Sequence, residues 1–154
     1  MKTHILKKIK VQDLNRQEKR TNKLKEKFGD YSTSIYFEEK TEETLNKLSA
    51  NHPKTQSENK KEKYCILINE LIKRLYIETH FMKKLKENKA AQETYQSYTL
   101  ISNYLYLGKK TKYIKSKLDK KKLTPPNPYK EWDEQCILEM SLIDNTINKL
   151  IELK

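Results

Sequence analysis

The sequence predicts an all-α protein, a small antiparallel helical bundle or helical hairpin preceded by a basic N-terminal helix or arm. Three observations carry this reading. The chain of 154 residues has two glycines, four prolines and one valine, so it lacks both the left-handed turn residues and the β-branched runs that sheets need. Straight-chained Lys, Glu, Leu, Asn and Gln dominate long stretches and lose little rotamer freedom on a helix. Ile, Leu, Val and Phe make 35 of the 154 residues, and 21 of those 35 fall in residues 64–107 and 129–154, so the core is expected there.

Residues 1–28 are read as a basic helix or arm, with Thr3 as N-cap and Gly29 following the last turn. Ile5, Leu6, Ile9, Leu14, Leu24 and Phe28 are interrupted by the polar stretch 15–23, which makes a weak core helix. Ten basic and three acidic groups leave this segment at +7. The opening MKTHILKKIKV is free of acid up to Asp13, as a mitochondrial presequence is, but has no Arg or Ser before residue 16. It contains no seven-residue apolar run, so a secretory signal is not expected. The longest apolar run, Tyr64 to Ile68, is far short of a membrane span. A soluble, intracellular protein is expected, cytoplasmic or nuclear before mitochondrial.

Residues 29–62 read as a short helix near Thr41 to Leu48 and a polar linker broken by Pro53. Ile35, Tyr36 and Phe37 form a local apolar patch, which packs back on the core or docks elsewhere, the first being favoured.

Residues 63–154 hold the expected helical core, in helices at about 63–88, 90–107, 109–122 and 128–153. Tyr64, Ile68, Leu71, Leu75, Met82 and Leu85 follow alternating steps of four and three, as in a coiled coil, with Glu78 as the one polar member. Cys65, Leu67, Ile72, Tyr76, Ile77 and Phe81 widen the stripe beyond a two-stranded seam. The next helix sets Ala91, Tyr95, Tyr98, Ile101 and Leu105 on one face before Gly108. Its tyrosines at 95, 98, 104 and 106 suit a packing boundary with ring buried and hydroxyl wet.

Residues 109–122 carry Lys109, Lys110, Lys112, Lys115, Lys117, Lys120, Lys121 and Lys122 against one aspartate, around Tyr113, Ile114 and Leu118. These eight lysines are the candidate anion-binding patch. Pro125, Pro126 and Pro128 then stop the helix, and Asn127 with Pro128 reads as N-cap and N1 of a last helix. Its stripe is Trp132, Cys136, Met140, Ile143, Ile147 and Leu150, with Glu131, Asp133 and Glu134 at the favourable end of the dipole. Residues 63–89 carry +4, 90–128 carry +6 and 129–154 carry −3, so an acidic last helix is expected to fold back, antiparallel, onto basic ones.

The formal charge of +12 is a weak guide to partners, because only three of 33 basic residues are arginines and abundant Lys, Asn, Ile and Tyr follow from AT-rich codons. Scarce Arg also argues against base-specific readout. Catalytic signatures are missing: His4, His52 and His80 are scattered, no HExxH, CxxC or Glu-x-x-His occurs, and two glycines build no phosphate loop. Cys65 and Cys136 read as buried thiols, and Glu70, Glu78 and His80 as surface charge. The expectation is a non-enzymatic interaction or scaffold protein with no cofactor, metal or small-molecule substrate. Its interaction stripe would be Tyr64, Ile68, Leu71, Leu75, Met82, Leu85, Trp132, Met140, Ile143, Ile147 and Leu150, meeting a protein partner or a second copy. The alternative is a sequence-tolerant nucleic-acid-associated protein, with an anionic membrane surface as a third partner.

Overall fold

The computed structural model describes residues 13–23, 25–26, 36–56 and 59–153, and divides the chain into two compact units, Met1–Phe37 and Glu38–Lys154. In the first unit residues 13–23 and 25–26 are helical, with Leu14 exposed. Thr3, Ile5, Leu6, Ile9, Leu24, Phe28, Gly29 and Ile35 lie outside the described residues. Tyr36 is 94% exposed.

The second unit is helical throughout its regular elements, and no strand occurs among the described residues. Its helices are α1 (Glu39–Ser49), α2 (Lys60–His80), α3 (Met82–Glu87), α4 (Lys89–Tyr106), α5 (Thr111–Lys120), α6 (Glu134–Met140) and α7 (Ile143–Glu152). A 3₁₀ turn, Pro53–Thr55, sits between α1 and α2.

Local chemistry explains most boundaries. Asn59 caps α2 by accepting from the Lys61 amide, Asn88 caps α4 through Ala91, and Asp133 caps α6 through Cys136 at 2.7 Å. At the end of α4, Gly108 has φ +69, its amide bonds the Leu105 carbonyl, and the Lys109 amide bonds the Tyr104 carbonyl. That pair of bonds is the Schellman arrangement, which needs a left-handed residue at this place. α5 ends in the same way, but the left-handed residue is Lys122, φ 55, with Leu123 bonded back to Leu118.

Three expectations are corrected. The helix expected over 63–88 is nicked at Phe81, although the Leu85 amide still reaches the Phe81 carbonyl, so α3 nearly continues α2. The helix expected over 128–153 is two helices. Asn127 and Pro128 do not start it; their peptide bond is cis, and helix begins only after the Asp133 cap. Residues 129–132 are held outside the helix by Trp132, which is buried and donates its indole N–H to the Leu123 carbonyl at 2.8 Å. α6 then stops because Ser141 Oγ donates to the Leu138 carbonyl and Asn145 Nδ2 takes the Glu139 carbonyl, so side chains replace the next backbone donors. Finally, residues 38–62 belong to the same compact unit as 63–154. Leu45, Ser49, His52 and Thr55 are buried, and Tyr64 Oη donates to Asn46 Oδ1 at 2.8 Å.

Two apolar clusters make the core. One joins Leu100, Ile101 and Leu105 of α4 with Ile114 and Leu118 of α5, Leu123, Trp132, and Cys136, Ile137 and Met140 of α6. The other joins Ile77, Phe81, Ala91 and Tyr98 to Ile143 and Leu150 of α7. α4 contributes to both and is the central helix. Glu78 meets Tyr95 near one end of α2 and Glu70 meets Tyr106 toward the other, so α2 and α4 run antiparallel. α7 packs on both, and Lys84 caps it by donating to the carbonyls of Leu150 and Leu153. The acidic C-terminal segment does meet basic neighbours: Lys73 holds Asp144 at 2.7 Å and Lys115 holds Glu131 at 2.7 Å.

Candidate functional site

α2 is apolar on two faces, and the structure buries only one. Tyr64, Leu67, Ile77 and the following Phe81 point inward together with Glu70. At 100° per residue the opposite face carries Ile68, Leu71, Ile72, Leu75, Tyr76 and Thr79. Leu71 is 50% exposed, Ile72 and Leu75 61%, and Met82, just beyond the helix, 52%. Ile68 and Cys65 are half-buried on the same side. The result is an apolar stripe over about four turns, facing away from the core. Scattered exposed apolar residues are ordinary on a protein surface, but a contiguous row of this length is not.

The eleven residues of the expected interaction stripe therefore divide. Leu71, Leu75 and Met82 are exposed, Ile68 and Leu85 half-buried, and Tyr64 buried. Trp132, Met140, Ile143 and Leu150 are buried within the unit itself and Ile147 is half-buried against the second cluster, so the C-terminal half of the stripe is core. Ile72 and Tyr76 belong to the outward face.

Beyond its C-terminal end the stripe meets a cleft of about 680 Å³ lined by His80, Phe81, Lys83, Lys84, Glu87, Asn88 and Lys89. Tyr76 stacks on His80 at 4.9 Å and packs edge-on to Phe81, which joins stripe and cleft. The stripe's surroundings are basic. Lys61 stands at its start and Lys83 and Lys86 beyond its end, all exposed, and among the described residues none has an acid within ion-pair distance.

The inner face of α2 holds the most polar buried cluster in the unit. Glu70, 4% exposed, accepts from Tyr98 Oη at 2.6 Å and Ser102 Oγ at 2.8 Å on one oxygen and from Tyr106 Oη at 2.6 Å on the other. Arg74, one turn along, reaches the same carboxylate at 3.3 Å and donates to Tyr98 Oη, Ser102 Oγ and Asn103 Oδ1. Lys54 Nζ lies 3.8 Å from Glu70 and donates to the Ser141 carbonyl, tying the loop after α1 to the end of α6. Burial by itself raises the Glu70 pKa, but the Lys54 charge and the hydroxyl donors outweigh it and hold the carboxyl at about 2. Tyr98 and Tyr106, desolvated and bound to a carboxylate, are pushed well above the usual phenol range.

His52 closes the cluster. It is fully buried, its ring lies 4.3 Å from that of Tyr106, and its Nδ1 accepts from the Lys54 amide, which puts the ring proton on Nε2. Burial first, then nearby Lys54, lower its pKa to about 4. Glu70 is thus a buried anchor rather than the surface charge expected, and of the four tyrosines expected to keep wet hydroxyls, Tyr98 and Tyr106 donate theirs to it. One signal was available: Glu70 and Arg74 stand four apart, and Tyr98, Ser102 and Tyr106 repeat every four, which puts three hydroxyls on one line of α4.

The lysine patch lies on α5 and its flanks. Lys109, Lys110, Lys112, Lys120, Lys121 and Lys122 are exposed, Lys115 is paired with Glu131, and Lys109 and Lys117 stand over the Tyr113 ring at 5.6 and 5.1 Å. Ile114 and Leu118 are buried, so α5 presents lysines outward and packs by a narrow apolar line. Cys65 and Cys136 are both free, and only Cys136 is buried, its thiol pushed up to about 11 by desolvation. Among the described residues no three His, Cys, Asp or Glu side chains converge as metal ligands, and no helix is long and apolar enough to cross a membrane. No protein-family model, curated protein or solved structure matches this chain.

Proposed function

We propose that this protein is an interaction module that docks a protein partner on the outward stripe of α2. The observation that carries the reading is the stripe itself: Leu71, Ile72, Leu75, Tyr76 and Met82, beside the half-buried Ile68, leave a row of large apolar side chains in water. Burying a Leu or Ile side chain gains about 1.5–3 kcal/mol, so four or five such residues supply the anchor cluster of a specific interface. The Glu70 cluster beneath keeps α2 fixed on α4, so the stripe is presented by a rigid helix and little ordering entropy is lost on docking.

The test is affinity capture with the wild-type chain and with an Ile72→Gln/Leu75→Gln variant, both with and without nuclease. A protein partner held by the wild type, resistant to nuclease and lost in the variant supports the reading. Identical capture by both chains overturns it.

A second reading rests on a separate observation, the six exposed lysines at 109, 110, 112 and 120–122. They suit sequence-tolerant contact with phosphates, and six such contacts would give a log-log salt slope of roughly −5 on duplex DNA. Replacing Lys109, Lys110, Lys112, Lys120, Lys121 and Lys122 with Gln would then weaken binding to DNA and RNA alike and flatten that slope.

A further inference from the structure

Resting on the α2 docking face, we infer that its occupant is an amphipathic helix of another protein carrying carboxylates at its ends, rather than a second copy of this chain or its own basic N-terminal segment. An apolar stripe admits any apolar face of matching width, so what selects the occupant is the rim. Here the rim is cationic at both ends: Lys61 one turn before the half-buried Cys65, and Lys83 and Lys86 beyond Met82. At 1.5 Å per residue, Lys61 and Lys83 stand about 33 Å apart, a length a partner helix of about 20 residues matches.

Of the acids on α2, Glu62 and Glu70 are buried and Glu78 accepts from Tyr95 Oη at 2.6 Å, while Glu42 of α1 is paired with Lys60 at the start of α2. At the far end, the cleft beside Tyr76 and His80 is lined by Lys83, Lys84 and Lys89 against Glu87. Lys84 is held by the Leu150 and Leu153 carbonyls and Lys89 lies 3.8 Å from Glu93, so the cationic seat there rests on Lys83 with the nearby Lys86. A carboxylate-bearing helix end has a cationic seat there, next to the last apolar contacts at Tyr76 and Met82.

The same rim disfavours the alternatives. Two copies pairing antiparallel about Ile72 bring each Lys61 onto the other copy's Lys83, and parallel pairing stacks Lys61 on Lys61. Like charges in register oppose association in either case. Residues 1–28 of this chain have apolar positions at Ile5, Leu6 and Ile9, but their net +7 meets the same repulsion. A nucleic acid matches the rim charges but gains nothing from the Leu and Ile row between them.

The experiment uses the full chain and two synthetic helical peptides of 20 residues. They share one Leu stripe at i, i+3, i+4 and i+7 spacing and differ only in having Glu or Lys in the first and last turns. Binding is read by fluorescence anisotropy against three proteins: wild type, Ile72→Gln/Leu75→Gln, and Lys61→Glu/Lys83→Glu. The expected result is at least tenfold tighter binding of the Glu-ended peptide to wild type, reversal of that preference in the charge-swapped protein, and loss of both peptides in the Gln variant. If the wild type binds both peptides equally and the Gln variant binds neither, the acidic-partner inference is overturned while the docking face stands. If the Gln variant binds as tightly as wild type, or no peptide binds the wild type, the docking face itself is overturned. Light scattering supplies the last arm: a wild-type dimer at tens of micromolar that the Gln variant abolishes assigns the stripe to a second copy and overturns the inference.

Discussion

Glu70 concentrates more of the unit's buried polar bonding than any neighbour, because three hydroxyl donors, Arg74 and Lys54 all converge on one carboxylate. A buried ion cluster is not in itself a strong source of stability, but removing one member leaves its partners charged and unpaired. Glu70→Gln is therefore expected to destabilise the fold by about 3–5 kcal/mol, measured by urea unfolding followed by circular dichroism. Combined with Arg74→Met the loss should be smaller than the sum of the two, since the second change removes the orphaned cation. Acid should act on the same cluster. The folded-state pKa values of Glu70, about 2, and His52, about 4, both lie below their ordinary 4.5 and 6.5, so the unfolded chain binds more protons at each site. Stability is then complete above about pH 6.5, falls first as His52 is titrated between 6.5 and 4, and falls further as Glu70 is titrated from 4.5 toward 2. Urea midpoints from pH 8 to pH 3 should trace this decline, and His52→Gln should flatten its upper part; a midpoint independent of pH over that range contradicts it.

Among the helices, the two Schellman ends invite a matched pair of substitutions. Gly108 has φ +69, and a Cβ there would stand 3.2 Å from Asn51 Cγ, so Gly108→Ala should cost about 1–2 kcal/mol. Lys122 occupies the same left-handed conformation with a side chain attached, and Lys122→Gly should raise stability by about 0.5–1 kcal/mol. Thermal unfolding of the two variants should move in opposite directions. α2 offers the sharper contrast between faces. Ile72→Gln and Leu75→Gln, on exposed positions, should change stability by no more than about 0.5 kcal/mol each, whereas Ile77→Ala, fully buried, should cost about 2–5 kcal/mol. Equal losses on both faces, read by urea unfolding, would mean the outward stripe is already covered. The helical nature of these elements was legible from composition and period alone. The division of the last helix was not, because it depends on Trp132 and Asn145 finding partners outside their own turn.

At the scale of the whole chain, a charge of +12 sets self-repulsion against a few interelement pairs such as Lys73 with Asp144 and Lys115 with Glu131. Those pairs are largely exposed and contribute little, so repulsion should dominate. Raising NaCl from about 0.01 to 0.3 M is expected to increase the urea midpoint, and a decrease would show that the pairs outweigh the repulsion. The sequence by itself determined that this chain is helical, where its breaks at Pro53 and Gly108 fall, and that its acidic C-terminal segment meets basic neighbours. These follow from residue chemistry and short-range spacing, which each segment carries alone. Only the tertiary structure decided which apolar stripe is core and which is surface. Trp132, Met140, Ile143 and Leu150 are covered by α4 and its neighbours, while Leu71, Ile72 and Leu75 stay 50–61% exposed, although period and hydrophobicity are alike in the two stripes. It also decided that Glu70 is an anchor, since burial and convergence of donors from α4 and the loop after α1 are properties of packing rather than of any one helix.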